Sequence, residues 1–220
     1  NDEEAQLLMD NLTHYLNLPE DAKILDLACG KGRHAIYLNS LGFDVTGADL
    51  SENSIAEASK FANDKLHFKV HDMREPFEEK YDAIFNLFTS FGYFESEKDH
   101  VNALKAFRKS MKADGTFVID YFNTQKIIKN LTNQEIKTID GIEFHLHKFV
   151  ADGKIIKHIN FEHKLKDYAF EERVQAFLLS DFETMLEKAG MQIIEKFGNY
   201  HLEAFDELKS DRLILICKKA

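Results

Sequence analysis

Lys23-Ile24-Leu25-Asp26-Leu27-Ala28-Cys29-Gly30-Lys31-Gly32-Arg33-His34 is the most informative run in this 220-residue chain. It reads as a short buried strand with an acid at its end, then a glycine turn, then the start of a helix. That arrangement sets backbone N–H groups and a helix N-terminus beside a carboxylate. It suits a nucleotide-like ligand with a polar, partly charged tail. Nineteen residues after Gly30, the run Phe43-Asp44-Val45-Thr46-Gly47-Ala48 ends in Asp49. An acid at the tip of the neighbouring strand is positioned to take two ribose hydroxyls. Two acids around one glycine turn point to an adenosine cofactor.

Outward from this stretch, strands and helices alternate. Residues 3–18 carry apolar positions at helical spacing (Leu7, Leu8, Leu12, Tyr15, Leu16, Leu18), and Pro19 ends that helix. A helix is expected from Arg33 to Leu41, closed by Gly42, and another from Ser51, as N-cap, through Phe61. Further strands are expected at 66–70, 83–87 and 116–121, with a helix over 97–111 and a turn at Lys112-Ala113-Asp114-Gly115. This rhythm implies a doubly wound, mostly parallel α/β sheet. It breaks after Asn123. Residues 142–150, 153–162 and 164–178 read as consecutive strands with a turn at Asp152-Gly153, an antiparallel β insertion after strand five. Ser180 to Gly190 reads as an amphipathic helix capped by Ser180 and Gly190, and 191–197 and 212–218 as a final strand pair. The whole chain, 1–220, is thus expected to be one domain, with 123–178 lying over the sheet.

Composition is that of an ordinary globular protein, 44% hydrophobic and 30% charged. With 28 basic and 38 acidic residues the net charge is −10, which argues against binding a phosphate backbone. Two distant cysteines, Cys29 and Cys217, form neither a disulfide framework nor a metal cluster and read as reduced thiols of a cytoplasmic protein. No apolar run reaches the ~18 residues of a membrane span and no signal peptide is visible. The chain begins at Asn1 rather than a methionine, which leaves room for an upstream segment.

These stations resemble a class I S-adenosylmethionine-dependent methyltransferase of the small-molecule type, over 20–122 closely and 180–219 more loosely. Asp26-Leu27-Ala28-Cys29-Gly30-Lys31-Gly32 follows the family's glycine motif in outline, with Ala28 in place of its first glycine. Lys112 to Gly115 stands at the family's turn before strand five and lacks its usual proline. The resemblance implies a seven-stranded Rossmann-like sheet with an antiparallel last strand, and S-adenosyl-L-methionine as cofactor. It implies that Asp26, Ala28, Cys29, Gly30, Gly32, Arg33 and His34 surround the cofactor, and that Asp49 holds the ribose, with Leu50 and Ser51 beside the adenine. Asp72 would accept from the adenine amine, with Met73 at the ring, while Asn86, Leu87 and Phe88 line the methionine moiety. The segment Leu87-Phe88-Thr89-Ser90-Phe91-Gly92-Tyr93 is similar to the corresponding part of amino-sugar N-methyltransferases, which makes the expected acceptor a small molecule, an amine among the candidates. The insertion would then cover the pocket as a lid.

Methyl transfer needs proximity and alignment, and a neutral amine needs no strong base. No residue is forced into a catalytic role. Tyr93, Tyr121, His145 and Arg173 are the polar candidates for the acceptor pocket, together with Asn86. His145, His147, His158 and His163 invite a metal reading, but no supporting Cys or carboxylate spacing accompanies them, and no metal is expected. Asn86 is followed by Leu87-Phe88-Thr89, not the Pro-Pro-aromatic of base-amine methyltransferases, so no nucleic-acid partner is expected. Two other readings stay open. One is a non-catalytic protein that senses S-adenosylmethionine or its demethylated product. The other is a nicotinamide oxidoreductase, which would want a third glycine where Arg33-His34-Ala35 stands.

Overall fold

The computed structural model describes residues 2–220. Its main sheet has seven strands. These are β1 (Lys23–Leu27), β2 (Asp44–Asp49), β3 (Leu66–Val70), β4 (Tyr81–Asn86), β5 (Met111–Phe122), β10 (Met191–Phe197) and β11 (Arg212–Lys219), in the order β10-β11-β5-β4-β1-β2-β3. β11 runs antiparallel to both its neighbours and the other pairings are parallel. The carboxyl ends of β1, β2, β4, β5 and β10 therefore share one edge, where doubly wound sheets bind their ligands.

Strand alternation feeds two cores. On one face α1 (Asp2–Tyr15) and α2 (Arg33–Ser40) bury Leu8, Met9, Leu12, Ala35 and Leu38 against Ile24, Val118 and Ile216. On the other, α4 (Glu97–Ser110) and α6 (Leu179–Lys188) bury Leu104, Phe107, Phe182 and Leu186 against Leu25, Ile84, Phe117 and Leu215. Ser51 caps α3 (Glu52–Ala58), its hydroxyl accepting the Ser54 N–H at 3.2 Å, and a 3-10 turn continues to Phe61. At the foot of β5 residues 112–115 leave the ladder, since Met111 pairs with Tyr81 and the next pair is Thr116 with Ala83.

The region after Asn123 is richer than its sequence suggests. A short helix, α5 (Thr124–Lys129), and an edge strand, β6 (Gln134–Ile139), precede β7 (Ile142–Ala151), β8 (Lys154–His163) and β9 (Lys166–Gln175), which form a four-stranded antiparallel meander. Neither α5 nor β6 was expected. β6 is largely exposed and polar, without the alternation that marks a half-buried strand. The last strand stops at Gln175 rather than 178, because Ala176 turns to donate to the Gly153 carbonyl at 2.8 Å. The following helix is capped by Leu178, not Ser180: the Asp181 carboxylate reaches back to the Leu178 N–H at 2.8 Å. The first helix ends at Tyr15, three residues earlier than expected.

Two anchors dock the meander. Gln175 donates its N–H to the Gly92 carbonyl at 2.8 Å, and the Tyr121 hydroxyl donates to the Gln175 carbonyl. Gly92 has φ +98°, and a Cβ there would lie 2.8 Å from the Tyr121 hydroxyl, so only glycine fits this junction.

Candidate active site at the carboxyl edge

The glycine turn is held by backbone and by Asp49. Cys29 donates its N–H to the Ala48 carbonyl at 3.0 Å. Asp49 Oδ2 takes the Gly30 N–H and its Oδ1 the Ser51 N–H, each at 2.8 Å. One carboxylate thus joins the turn after β1 to the start of α3, and each oxygen keeps lone-pair capacity for a further donor. Gly30 has φ +55°, and a Cβ there would meet nothing within 4 Å: the space over the turn is open. Gly32 is different, since a Cβ would press the Phe68 ring at 2.7 Å. One glycine leaves room for a ligand and the other lets α2 approach β3.

Asp26 and Asn86 stand at the carboxyl ends of adjacent strands, Asp26 one residue before the last of β1 and Asn86 the last of β4, and each carries a buried oxygen without a donor among the described residues. Asp26 is 1% exposed. Burial pushes its carboxyl up to about 7, an effect that Asp49 adds to and the Ala35 N–H partly offsets. Asn86 gives its Nδ2 to the Leu27 carbonyl at 3.2 Å while Oδ1 stays unpaired. Buried acceptors without donors are rare and costly. Here they fit a ligand that brings donors, an ammonium first of all. With the open space above Gly30, the residues present fit S-adenosylmethionine.

Around this centre the other expected residues differ. Ala28 takes the left-handed conformation that its glycine alternative would favour, φ +57°. Burial pushes the Cys29 thiol up, which keeps it a neutral wall. Leu50 is exposed and Ser51 spends its hydroxyl on the cap. Asp72 is gripped by Arg74 (Nη2 at 2.6 Å, Nε at 3.1 Å), which holds its carboxyl below the usual range, so an adenine amine would share it with a guanidinium. Met73 packs partly buried against the core. Arg33 pairs with Asp2 at 3.0 Å, and its guanidinium stands 5.7 Å from the Phe88 ring centre. His34 stacks on Phe88 at 4.6 Å; burial and Arg33 push it down to about 4, so it is neutral near pH 7. Leu87 is buried in the core.

Beside this edge lies a cavity of about 580 Å³ between α5 and the meander. Phe122, Ile127, Leu131, Ile155 and Val174 form its apolar wall. Three ion pairs also line it, beside Tyr93, Asn130 and Thr132: Lys126–Asp211 at 2.6 Å, Lys148–Glu135 at 3.1 Å and Lys157–Glu172 at 3.1 Å.

Of the four expected acceptor residues, only Tyr93 lines this cavity. Tyr121 is fully buried and its hydroxyl is spent on the Gln175 carbonyl, so it anchors the meander instead of meeting a ligand. His145 and Arg173 stand on the opposite face. Lys148 and Lys157 face each other across β7 and β8 and point into the cavity, so the odd positions of β7 and β9 point away. There His145 meets Glu143 at 3.4 Å and Arg173 pairs with Glu171.

Asp120, Tyr200 and Arg212 lie outside the expected site residues. The Asp120 carboxylate is wholly buried and pairs with Arg212 at 2.8 Å. An acid inside the apolar run Phe117-Val118-Ile119-Asp120-Tyr121-Phe122 was the available signal, because a buried charge needs a partner.

Residues 2–196 match the family model described as "Methyltransferase domain". "Putative methyltransferase YqeM" of Bacillus subtilis (strain 168) is 27% identical over 217 residues, covering 93% of this chain and 87% of that protein. A glycine/sarcosine N-methyltransferase of Aphanothece halophytica is 25% identical over 217 residues, covering 90% and 76%. The crystal structure of an S-adenosylmethionine-dependent methyltransferase from Clostridium acetobutylicum ATCC 824 superposes with a TM-score of 0.85 at 21% identity, over 100% of this chain and 92% of that one. With a glycine turn and two strand-end acids at the carboxyl edge of this sheet, and a family match across most of its length, the chain belongs to the methyltransferase-domain family, the class I S-adenosylmethionine-dependent methyltransferases.

Proposed function

We propose that this enzyme transfers a methyl group to the nitrogen of a small amine held in the cavity between α5 and the meander. The observation that carries the reading is that cavity. At about 580 Å³ it is of small-molecule size, and Tyr93 and Phe122 connect it to the ends of β4 and β5. A net charge of −10 speaks against a nucleic-acid acceptor. The glycine/sarcosine N-methyltransferase relative supports an amine.

In this reading Asp49 takes the ribose hydroxyls while it holds the turn at Gly30 and Gly32. Asp26 and Asn86 accept from the amino-acid ammonium. Leu50, Ser51, Asp72 and Met73 surround the adenine, and Leu87 and Phe88 border the point of transfer. When bound, S-adenosylmethionine supplies a sulfonium methyl that passes in line to the nucleophile. The protein's work is to align the two molecules and to exclude water, for which the insertion of residues 123–178 serves as a lid. Glu135, Glu172 and Asp211 offer carboxylates to an incoming ammonium, which must shed a proton before its nitrogen can attack.

The test is a parallel titration with S-adenosylmethionine, S-adenosylhomocysteine and NAD, followed by turnover on a panel of small amines, hydroxyl compounds and thiols. Binding of the first two and methyl transfer to amines is the expected result. Turnover confined to hydroxyls or thiols would overturn the amine, and retention of cofactor with no turnover anywhere would favour a sensor.

A further inference from the structure

The turn after β4 is held in a strained shape by residues remote in the chain. Phe88 and Thr89 both occupy the left-handed region, φ +57° and +60°, which L-residues avoid. Three tethers hold them there. The Phe88 N–H donates to Asp120 Oδ2 at 2.9 Å, the Thr89 N–H to the Asp120 carbonyl at 3.1 Å, and Arg212 Nη2 to Thr89 Oγ1 at 3.0 Å. Arg212 Nε in turn donates to Asp120 Oδ1 at 2.8 Å. The Phe88 ring thereby sits between His34 of α2, at 4.6 Å, and Tyr200, at 5.4 Å. Strain that the surroundings over-determine in this way gathers at functional sites.

Strand order says which part of a ligand this turn reaches. The order is β4-β1-β2. A molecule whose ribose sits on Asp49 at the end of β2 crosses the glycine turn after β1 before it meets the turn after β4. The Phe88–Thr89 turn therefore faces the end of the molecule away from the adenosine.

We propose that Asp120 and Arg212 are positioning residues that act through the Phe88–Thr89 turn on the amino-acid half of bound S-adenosylmethionine. The inference rests on the cofactor reading of the glycine turn given above. A purely structural role, closing β11 onto β5, would not distinguish one half of the cofactor from the other, and this supplies the test.

Wild-type protein and variants are titrated calorimetrically with S-adenosylhomocysteine and with 5′-methylthioadenosine, which keeps the adenosine and sulfur but lacks the amino-acid tail. For Asp120→Asn the expected result is about tenfold weaker S-adenosylhomocysteine binding, the scale of one lost charged contact, with 5′-methylthioadenosine unchanged within about twofold. Thr89→Val removes one tether and leaves the ion pair whole. It should show the same selective loss at about threefold, and it decides the matter if Asp120→Asn does not fold. The double variant Asp120→Leu, Arg212→Met leaves no lone buried charge, and the selective loss should persist in it. Equal losses for both ligands, or wild-type affinities in the double variant, would overturn the proposal. A wild-type protein that binds neither ligand would instead remove the cofactor reading and this inference with it.

Discussion

The glycine turn and the four-stranded meander flank the same edge of the sheet and are built in opposite ways. At the turn, polar groups meet backbone: Asp49 takes two N–H groups, Cys29 donates to Ala48, and Asp26 of β1 and Asp120 of β5 are almost wholly and wholly buried. On the meander, charged side chains meet one another, as in Lys148–Glu135 and Lys157–Glu172, with much of each pair in water. A site made of backbone and special φ values tolerates few residues. A site made of exposed pairs tolerates many, because such pairs contribute little to stability. One chain can thus keep its cofactor end constant while the acceptor end is free to differ, and substitutions should divide along the same line.

Gly30→Val should have the largest effect. It sets a branched side chain into the open space over the turn, at a φ that such residues avoid. S-adenosylhomocysteine binding should fall by more than about 100-fold while the circular-dichroism spectrum stays native; retained binding would show that the ligand does not pass over this turn. Asp49→Ala comes next, with cofactor binding weakened by roughly 1.5–3 kcal/mol, the scale of lost charged hydrogen bonds. An unchanged dissociation constant would take the ribose role from Asp49.

Asp26 predicts a pH effect of intermediate size. Its folded pKa, about 7, lies above the ordinary carboxylate value, so below that value the empty protein keeps a proton that the unfolded chain has released. Stability of the empty protein should then fall as pH rises from about 4 through 7, and Asp26→Asn should flatten that slope in thermal melts. The same ionisation readies Asp26 for an ammonium. S-adenosylhomocysteine affinity should rise between pH 6 and 8, while that of 5′-methylthioadenosine stays flat.

At the junction of the two regions, Tyr121→Phe should cost about 1 kcal/mol or slightly more, because the Gln175 carbonyl loses its donor. Chemical denaturation reads this directly. Arg173→Ala should have the smallest effect, with the melting temperature and turnover both unchanged, since its side chain is exposed on the face away from the cavity. A fall in turnover would mean that this face also meets the acceptor.

What could be read from the sequence follows the same division. Asp26, Gly30, Gly32 and Asp49 stand out because their chemistry is local: a turn that needs positive φ, and an acid at a strand tip, announce themselves within a few residues. The main-sheet strands were equally legible, as apolar runs at regular spacing. The meander was legible as strands, and its alternation sets Lys148 on the face of β7 that carries Ile142, Phe144, Leu146 and Val150, with His145 on the polar face. What alternation could not say is that the more apolar face closes a cavity with α5. Tyr121 misled for a related reason, since its hydroxyl partner lies 54 residues away.

The glycine turn, the succession of strands and helices, and the acids that mark the cofactor edge are all written in local sequence. These depend on backbone conformation and short-range periodicity, which neighbouring residues dictate. Packing alone brings Asp120 to Arg212 across 92 residues, sets Phe88 between His34 and Tyr200, and walls the cavity with α5 and one face of the meander. Those contacts join segments far apart in the chain, and they exist only once sheet order and register have brought the segments together.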